Sequence, residues 1–320
     1  MGHSLLSQFQ GSLLGVSLGL YSQYLAQSPR NLPSTSVLSS HRLDLILTGI
    51  NTLIDRPEIS WEDWHQIWQA DDSSLQPESL KVIATLPVML FFHENPGRLR
   101  HQLQQAAQEG QVKALNQTVS SENTASELFI LAEAIAELLK PSSNLQELIP
   151  QLLTQVSSET KLAQQLTQVH LLWQQDTGLE TAIHRLIPNF TPSLELTSSV
   201  AVAMYCFLST PSAFSVSLRR AMRFNPDFNL ACAMTAALSG AYNGLAGIPT
   251  AWRLQLRKLM MPTSNSTSQL APENLIPIDQ QILNQSAQLF QTWAGLYSLT
   301  PPNTNPLTSS IVAVPISLPN

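Results

Sequence analysis

Three glycines recur at every fourth position in the first stretch of the chain, GSLLGVSLGL. They are Gly11, Gly15 and Gly19, and the apolar residues around them follow a helical period. Residues four apart share one face of a helix, so this face is bare backbone. A glycine inside a helix costs about 1 kcal/mol relative to alanine. We therefore expect a second helix to cross this face closely enough to offset that cost.

A later stretch, NPDFNLACAMTAALSGAYNGLAGIP, predicts a second helix with few large side chains. Asn225 is a good N-cap, Pro226 suits the first helical position, and Asp227 complements the dipole in the first turn. The other faces of this helix carry the small residues alanine and glycine, so we expect other helices to pack closely against it on several sides. A buried helix start with a carboxylate would face a pocket, as it does in anion or metal sites.

Nearly every other segment has the apolar spacing of a helix, and none alternates for long enough to predict a strand. The predicted fold is all-α, a multi-helix globule. We expect a helical domain over residues 1–260, a polar linker over 261–275, a C-terminal helix over 276–298, and a Pro/Ser/Thr-rich, disordered tail over 299–320. The helix that contains Pro87 is expected to bend or break there.

The composition narrows the choice of partners. Only 12% of the residues are charged and the net charge is −6, without any run of Lys or Arg, so no nucleic-acid partner is expected. Cys206 and Cys232 have no CxxC spacing and are predicted to be small buried hydrophobic residues. The first segment has no basic residue before Arg30 and polar interruptions of its apolar run, so we expect no membrane association and a cytoplasmic location.

Residues 225–252 resemble the C-terminal signature of the ADP-ribosylglycohydrolase family, roughly GGDTDTxAAIAGALxGAYYGxxAIPxxW. The tail YNGLAGIPTAW fits this pattern down to Trp252. GSLLGVSLGL resembles the family's N-terminal GxLLGxAxGDALG, and LPVMLFFHENPGRLR resembles another of its helices. The resemblance implies an all-α fold, hydrolysis of ADP-ribosyl bonds, and two Mg²⁺ ions held by a TDDT motif and by the DTDT of the signature.

The segment SSHRLDLILTGI stands where the resemblance places TDDT, and it lacks the acids. Ser40, His41 and Arg42 occupy the positions of Thr-Asp-Asp. A guanidinium brings positive charge to a place meant for a cation, and it cannot be deprotonated. The family's TDDT motif lies near the start of the second helix. The Asp71-Asp72 pair does not lie near the start of that helix, and we interpret it as an exposed turn.

The signature keeps a single carboxylate, Asp227. Asn229 replaces its second aspartate, Leu230 its threonine, and Leu20 the aspartate of the N-terminal motif. Two Mg²⁺ ions require several carboxylates, so we expect this metal site to be lost and no cofactor to be needed. The predicted remnant pocket consists of Ser40, His41, Arg42, Asp227 and Asn229.

Three functions remain open. The chain is a degenerate family member, a pseudoenzyme that binds an ADP-ribose-like or other small ligand, or a protein partner. Alternatively, it is an active hydrolase of ADP-ribosyl or related N-glycosidic bonds with a rearranged site around Asp227. A third hypothesis is an interaction protein that uses its tryptophan-containing segment, residues 61–68, or its tail. An ion pair between Arg42 and Asp227 across the old site is a further hypothesis.

Overall fold

A computed structural model describes residues 3–25, 41–56, 77–108, 118–187, 195–224, 229–260 and 276–296. Every regular element in these ranges is a helix, and they contain no strand. The fold is therefore all-α, as the sequence predicts. No described helix is both long and apolar enough to cross a membrane.

The α-helices of the described ranges, in chain order, are α1 Leu5–Leu20, α2 Ser22–Leu25, α3 His41–Asp55, α4 Pro77–Phe91, α5 Pro96–Gln108, α6 Thr118–Leu139, α7 Leu145–Leu153, α8 Lys161–Gln174, α9 Leu179–Leu186, α10 Leu196–Ser209, α11 Phe214–Phe224, α12 Asn229–Asn243, α13 Thr250–Met260 and α14 Ile278–Trp293. A short 3₁₀ turn, Leu245–Gly247, follows α12.

Side-chain caps explain where several helices begin. Ser4, Asn95, Asn144 and Thr160 each accept a backbone N–H from two or three residues further along, at 3.0 to 3.3 Å. Such a cap satisfies one of the free N–H groups in the first turn of a helix. Proline follows Asn95 at the first position of α5, where its missing N–H costs nothing. Local sequence thus determines where α1, α5, α7 and α8 start.

The predicted close crossing is confirmed, and the partner of α1 is α12. A Cβ on Gly11 would overlap the backbone of Gly240, and one on Gly19 would lie 2.6 Å from the backbone N of Ala233. Gly15, between them, also has the backbone of α12 directly against it. The start of α1 therefore meets the end of α12, so the two helices are antiparallel. Their glycines let the backbones touch without intervening side chains.

The other helices surround this pair. α12 also packs against α6, α10 and α11, and α1 packs against α14. Buried apolar residues from these helices form one continuous core. The thin faces of α12 thus have close neighbours on several sides, as the sequence predicts.

α4 continues through Pro87 without a break, so the expected break is wrong, while the expected bend stays a prediction. Proline removes one hydrogen bond of the helix, which is why a bend or break was expected. Leu86 and Val88 on either side of it are buried. Packing of the helix into the core supports its backbone across the missing bond.

The last described helix belongs to the same core. The ring of Phe9 packs edge-on against Phe290 at 5.6 Å, and Arg257 donates from Nε and Nη2 to the carboxylate of Asp279 at 2.9 and 2.8 Å. The C-terminal helix expected within 276–298 is present. The predicted linker lies outside the described residues, as does the tail, and the proposed division into domains stays a prediction.

Candidate functional site

The residues predicted to form the remnant pocket lie at or just before the starts of two helices. His41 and Arg42 are the first residues of α3, and Asn229 is the first residue of α12; only their backbones are described. Ser40 and Asp227 lie outside the described residues. The hypothesis of an ion pair between Arg42 and Asp227 stays a prediction, and the predicted cap at Asn225 also lies outside the described residues.

The part of this region that is described lies where α1 ends and α12 starts. We call it the signature end and define it by Gly19, Leu20, Ser22, Leu230 and Cys232. A Cβ on Gly19 would overlap the backbone of α12 at Cys232 and Ala233, so no side chain fits between the helices here. The crossing closes this end of the pair with backbone on both sides.

Two leucines take positions where the resemblance expects polar side chains: Leu20 stands at the aspartate of the N-terminal motif, and Leu230 at a metal-ligating threonine of the signature. Leu20 is 1% exposed and Leu230 is 7% exposed. A leucine side chain offers no oxygen to a hard cation such as Mg²⁺. Among the described residues, no group of three or more His, Cys, Asp or Glu side chains could hold a metal ion. The residues described at this end do not supply the ligands of a pair of Mg²⁺ ions, so we derive no reaction step through them.

The thiol of Cys232 also lies at the signature end. Burial raises its pKa to about 12, although a hydrogen bond with the side chain of Ser22 opposes the rise. Burial raises the pKa of Cys206 as well, and both cysteines are unpaired. A thiol is nucleophilic and binds metals only when it ionises. Both cysteines are therefore inert core residues, which confirms the prediction that they behave as small hydrophobic side chains.

A protein-family model shows which family the chain belongs to. The model of the ADP-ribosylglycohydrolase family matches residues 58–282, more than half of the chain. The chain belongs to the ADP-ribosylglycohydrolase family. Its matched range includes α12 and the signature. It leaves out α1 and α3, so the positions of Leu20, Ser40, His41 and Arg42 rest on the resemblance of short motifs.

A solved structure has a similar fold. One described as an "ADP-ribosylglycohydrolase-related protein complex" is similar with a TM-score of 0.55 and 14% identity, over 90% of this chain and 99% of that chain. At this identity the likeness shows the fold alone. Among curated proteins, none matches the chain. This ADP-ribosylglycohydrolase-like chain thus keeps the fold of the family, while the described part of its signature end contains buried leucines, close backbone and a Ser22–Cys232 hydrogen bond, and no carboxylate.

Proposed function

We propose that this protein is a catalytically degenerate ADP-ribosylglycohydrolase that acts by binding a ligand or a partner. The observation that carries the proposal is the burial of Leu20 and Leu230, which stand where the family resemblance expects an aspartate and a metal-ligating threonine. We also propose a cytoplasmic location, because the two unpaired buried thiols suit a reducing compartment.

The charges of the replaced positions support this proposal. Two Mg²⁺ ions bring four positive charges into a small space and depend on nearby carboxylates to offset them. In the sequence, Asp227 is the single acid kept among the family's ligand positions, and Arg42 adds a positive charge. Without the metal pair, the family's means of positioning and activating water is missing.

The ligand that we propose is an ADP-ribose-like molecule, with a protein as the other candidate. Support comes from the retained scaffold, since α1 and α12 keep the backbone contact that brings the two helix ends together. A helix start also suits an anionic ligand, because its free N–H groups point outward along the axis. We therefore propose the start of α12 as the place where the phosphates of such a molecule bind.

Turnover and binding assays test this proposal together. The wild-type protein is incubated with an ADP-ribosylated arginine peptide and Mg²⁺, and released ADP-ribose is quantified. We expect no turnover above the rate without protein, and the same result for Asp227→Ala. Calorimetry with ADP-ribose is expected to show saturable binding. Turnover that Asp227→Ala abolishes would instead establish the active hydrolase with a rearranged site.

A further inference from the structure

A cavity of about 770 Å³ lies at the opposite end of the α1–α12 pair. Its walls are the start of α1, the turn that leads into α5, and the end of α6. We call it the glutamate cleft and define it by His93, Glu94, Glu133, Glu137 and Lys140. α1 has 16 residues and rises about 1.5 Å per residue, so the cleft is roughly 24 Å from the signature end.

Glu133 is the central carboxylate of the cleft. It is half-buried, and burial raises the pKa of its carboxyl. Within the described chain it accepts no hydrogen bond and forms no ion pair. The positive charges of Arg100 and Lys140 partly oppose this rise in pKa. The guanidinium of Arg100 forms no hydrogen bond with Glu133: it stacks 3.8 Å above the ring of Phe129 and donates to Gln155 at 3.1 Å. Glu133 therefore faces the cavity with unused capacity to accept hydrogen bonds.

The single ammonium group in the described lining is also engaged. Lys140 forms an ion pair with Glu137, one turn earlier at the end of α6. Glu94 adds a further carboxylate at the rim. The lining thus contains three carboxylates against one ammonium, and the cavity carries net negative charge.

His93, one of the two histidines in the described lining, supplies another acceptor. Nδ1 of His93 lies 2.7 Å from the carbonyl oxygen of Leu90, and since a carbonyl only accepts, Nδ1 carries the proton. In the neutral ring Nε2 is then the acceptor. Burial lowers the pKa of His93, and its ring packs against Phe9 at 5.6 Å and Trp293 at 5.0 Å. These contacts hold the ring in place.

Gln8 lies at the base of the cleft, and its side-chain amide has no free N–H group to donate. Its Nε2 donates to the carbonyls of Leu138 and Ala241, at 3.0 and 2.8 Å, and the side chain is buried. These two bonds join the start of α1 to the ends of α6 and α12. The rest of the wall includes Leu5 and Leu139, which are apolar. The cleft therefore combines a hydrocarbon wall with hydrogen-bond acceptors and negative charge.

We propose that the glutamate cleft binds a small aliphatic organic cation, an amine or a guanidine. Its N–H groups donate to Glu133 and to Nε2 of His93, and its carbon chain packs on Leu5 and Leu139. A guanidinium offers five donors and no acceptor, which is the complement of this lining. A metal ion fits less well, because the described residues hold no metal-binding group of three.

Calorimetry with two ligands of the same shape tests the charge requirement. Butylguanidine is a cation, and butylurea is its neutral counterpart with the same carbon chain. We expect saturable binding of butylguanidine, no binding of butylurea, and no displacement of butylguanidine by Mg²⁺. Equal binding of the two ligands, or no saturable binding of butylguanidine, would overturn the proposal.

Paired variants then locate the site. Glu133→Gln keeps the shape of the side chain and removes its charge, and we expect about tenfold weaker binding of butylguanidine, since bonds to charged groups are the stronger ones. Glu147→Gln removes an exposed carboxylate on α7, outside the cleft, and is expected to leave affinity unchanged. Circular dichroism confirms that both variants fold. Equal affinities of the two variants would contradict the site, as would a His93 ring whose NMR signals do not move during the titration.

Discussion

The two ends of the α1–α12 pair share one backbone contact and differ in what surrounds it. At the signature end, the buried side chains of Leu20 and Leu230 replace the aspartate and the threonine that the family resemblance expects there. At the glutamate cleft, ionisable side chains line an open cavity. The close contact between the two helices therefore does not determine which end of the pair carries polar side chains. The side chains just beyond the crossing decide that.

The largest expected effect comes from putting the aspartate back at the signature end. Leu20→Asp buries an unpaired carboxylate, and we expect the free energy of unfolding to fall by about 4 kcal/mol in denaturant titrations. Leu20→Asn, of similar size and without charge, is the matched control and should lose less. If Mg²⁺ restores the stability of Leu20→Asp and not of Leu20→Asn, a metal site survives at this end and the contrast between the ends is wrong.

A smaller loss is expected at the centre of the pair, which both ends share. A Cβ on Gly15 would overlap the carbonyl group of Ala236, and backbone cannot give way easily. We expect Gly15→Ala to lower the free energy of unfolding by about 3 kcal/mol. Gly97→Ala in α5 is the control, since its Cβ would meet a single atom, Oδ1 of Asn95, at 3.8 Å. That control should be neutral or gain up to about 1 kcal/mol.

Equal effects of Gly15→Ala and Gly97→Ala would mean that the close crossing is not what holds the pair together. Urea titrations read by far-ultraviolet circular dichroism measure both variants. The two ends of the pair could then no longer be compared as parts of one close backbone contact between α1 and α12.

The smallest effect is a pH dependence at the signature end. The pKa of Cys232 is about 12 in the folded chain against an ordinary value near 9, so folding favours the neutral thiol. The neutral Cys232 thiol therefore contributes to the free energy of unfolding below about pH 9, and this contribution is lost as the pH rises toward 12. Between these limits the slope is about 1.4 kcal/mol per pH unit at most.

Cys232→Ala removes this titration, so its stability should fall less steeply than that of the wild type between pH 9 and 10.5. Other groups titrate in the same range in both proteins, and the difference between the two curves isolates the thiol. Parallel curves would show that Cys232 reaches solvent, and that the signature end is more open than the burial of Leu20 indicates.

Much of the fold could be predicted because its signals are local. The spacing of Gly11, Gly15 and Gly19 predicts a close crossing, and the caps at Asn95 and Asn144 predict helix starts. The partner of the glycine face could not be read from α1 alone. The glycines of α1 indicate how closely a neighbouring helix must approach. They do not indicate which segment of the chain forms that helix.

The two candidate sites differ in how far sequence reasoning reaches. A contiguous motif predicts the signature end, although Asp227 itself lies outside the described residues. The glutamate cleft was missed because its residues come from three segments that meet only through helix packing: residues 3–8, 93–96 and 133–141. The one sequence signal would have been carboxylates on the last turns of α6, Glu133 and Glu137, and those are also typical of a solvated helix face.

A count of bound divalent ions tests the central claim most directly. Wild-type protein is titrated with Mn²⁺ and with Mg²⁺ by calorimetry at neutral pH, and the heats are fitted for number of sites and Kd. We predict no saturable site for either ion, because Leu20 and Leu230 supply no ligands at the signature end. Two ions per chain with micromolar Kd, lost in Asp227→Ala, would contradict the account and show that the family's metal pair is intact.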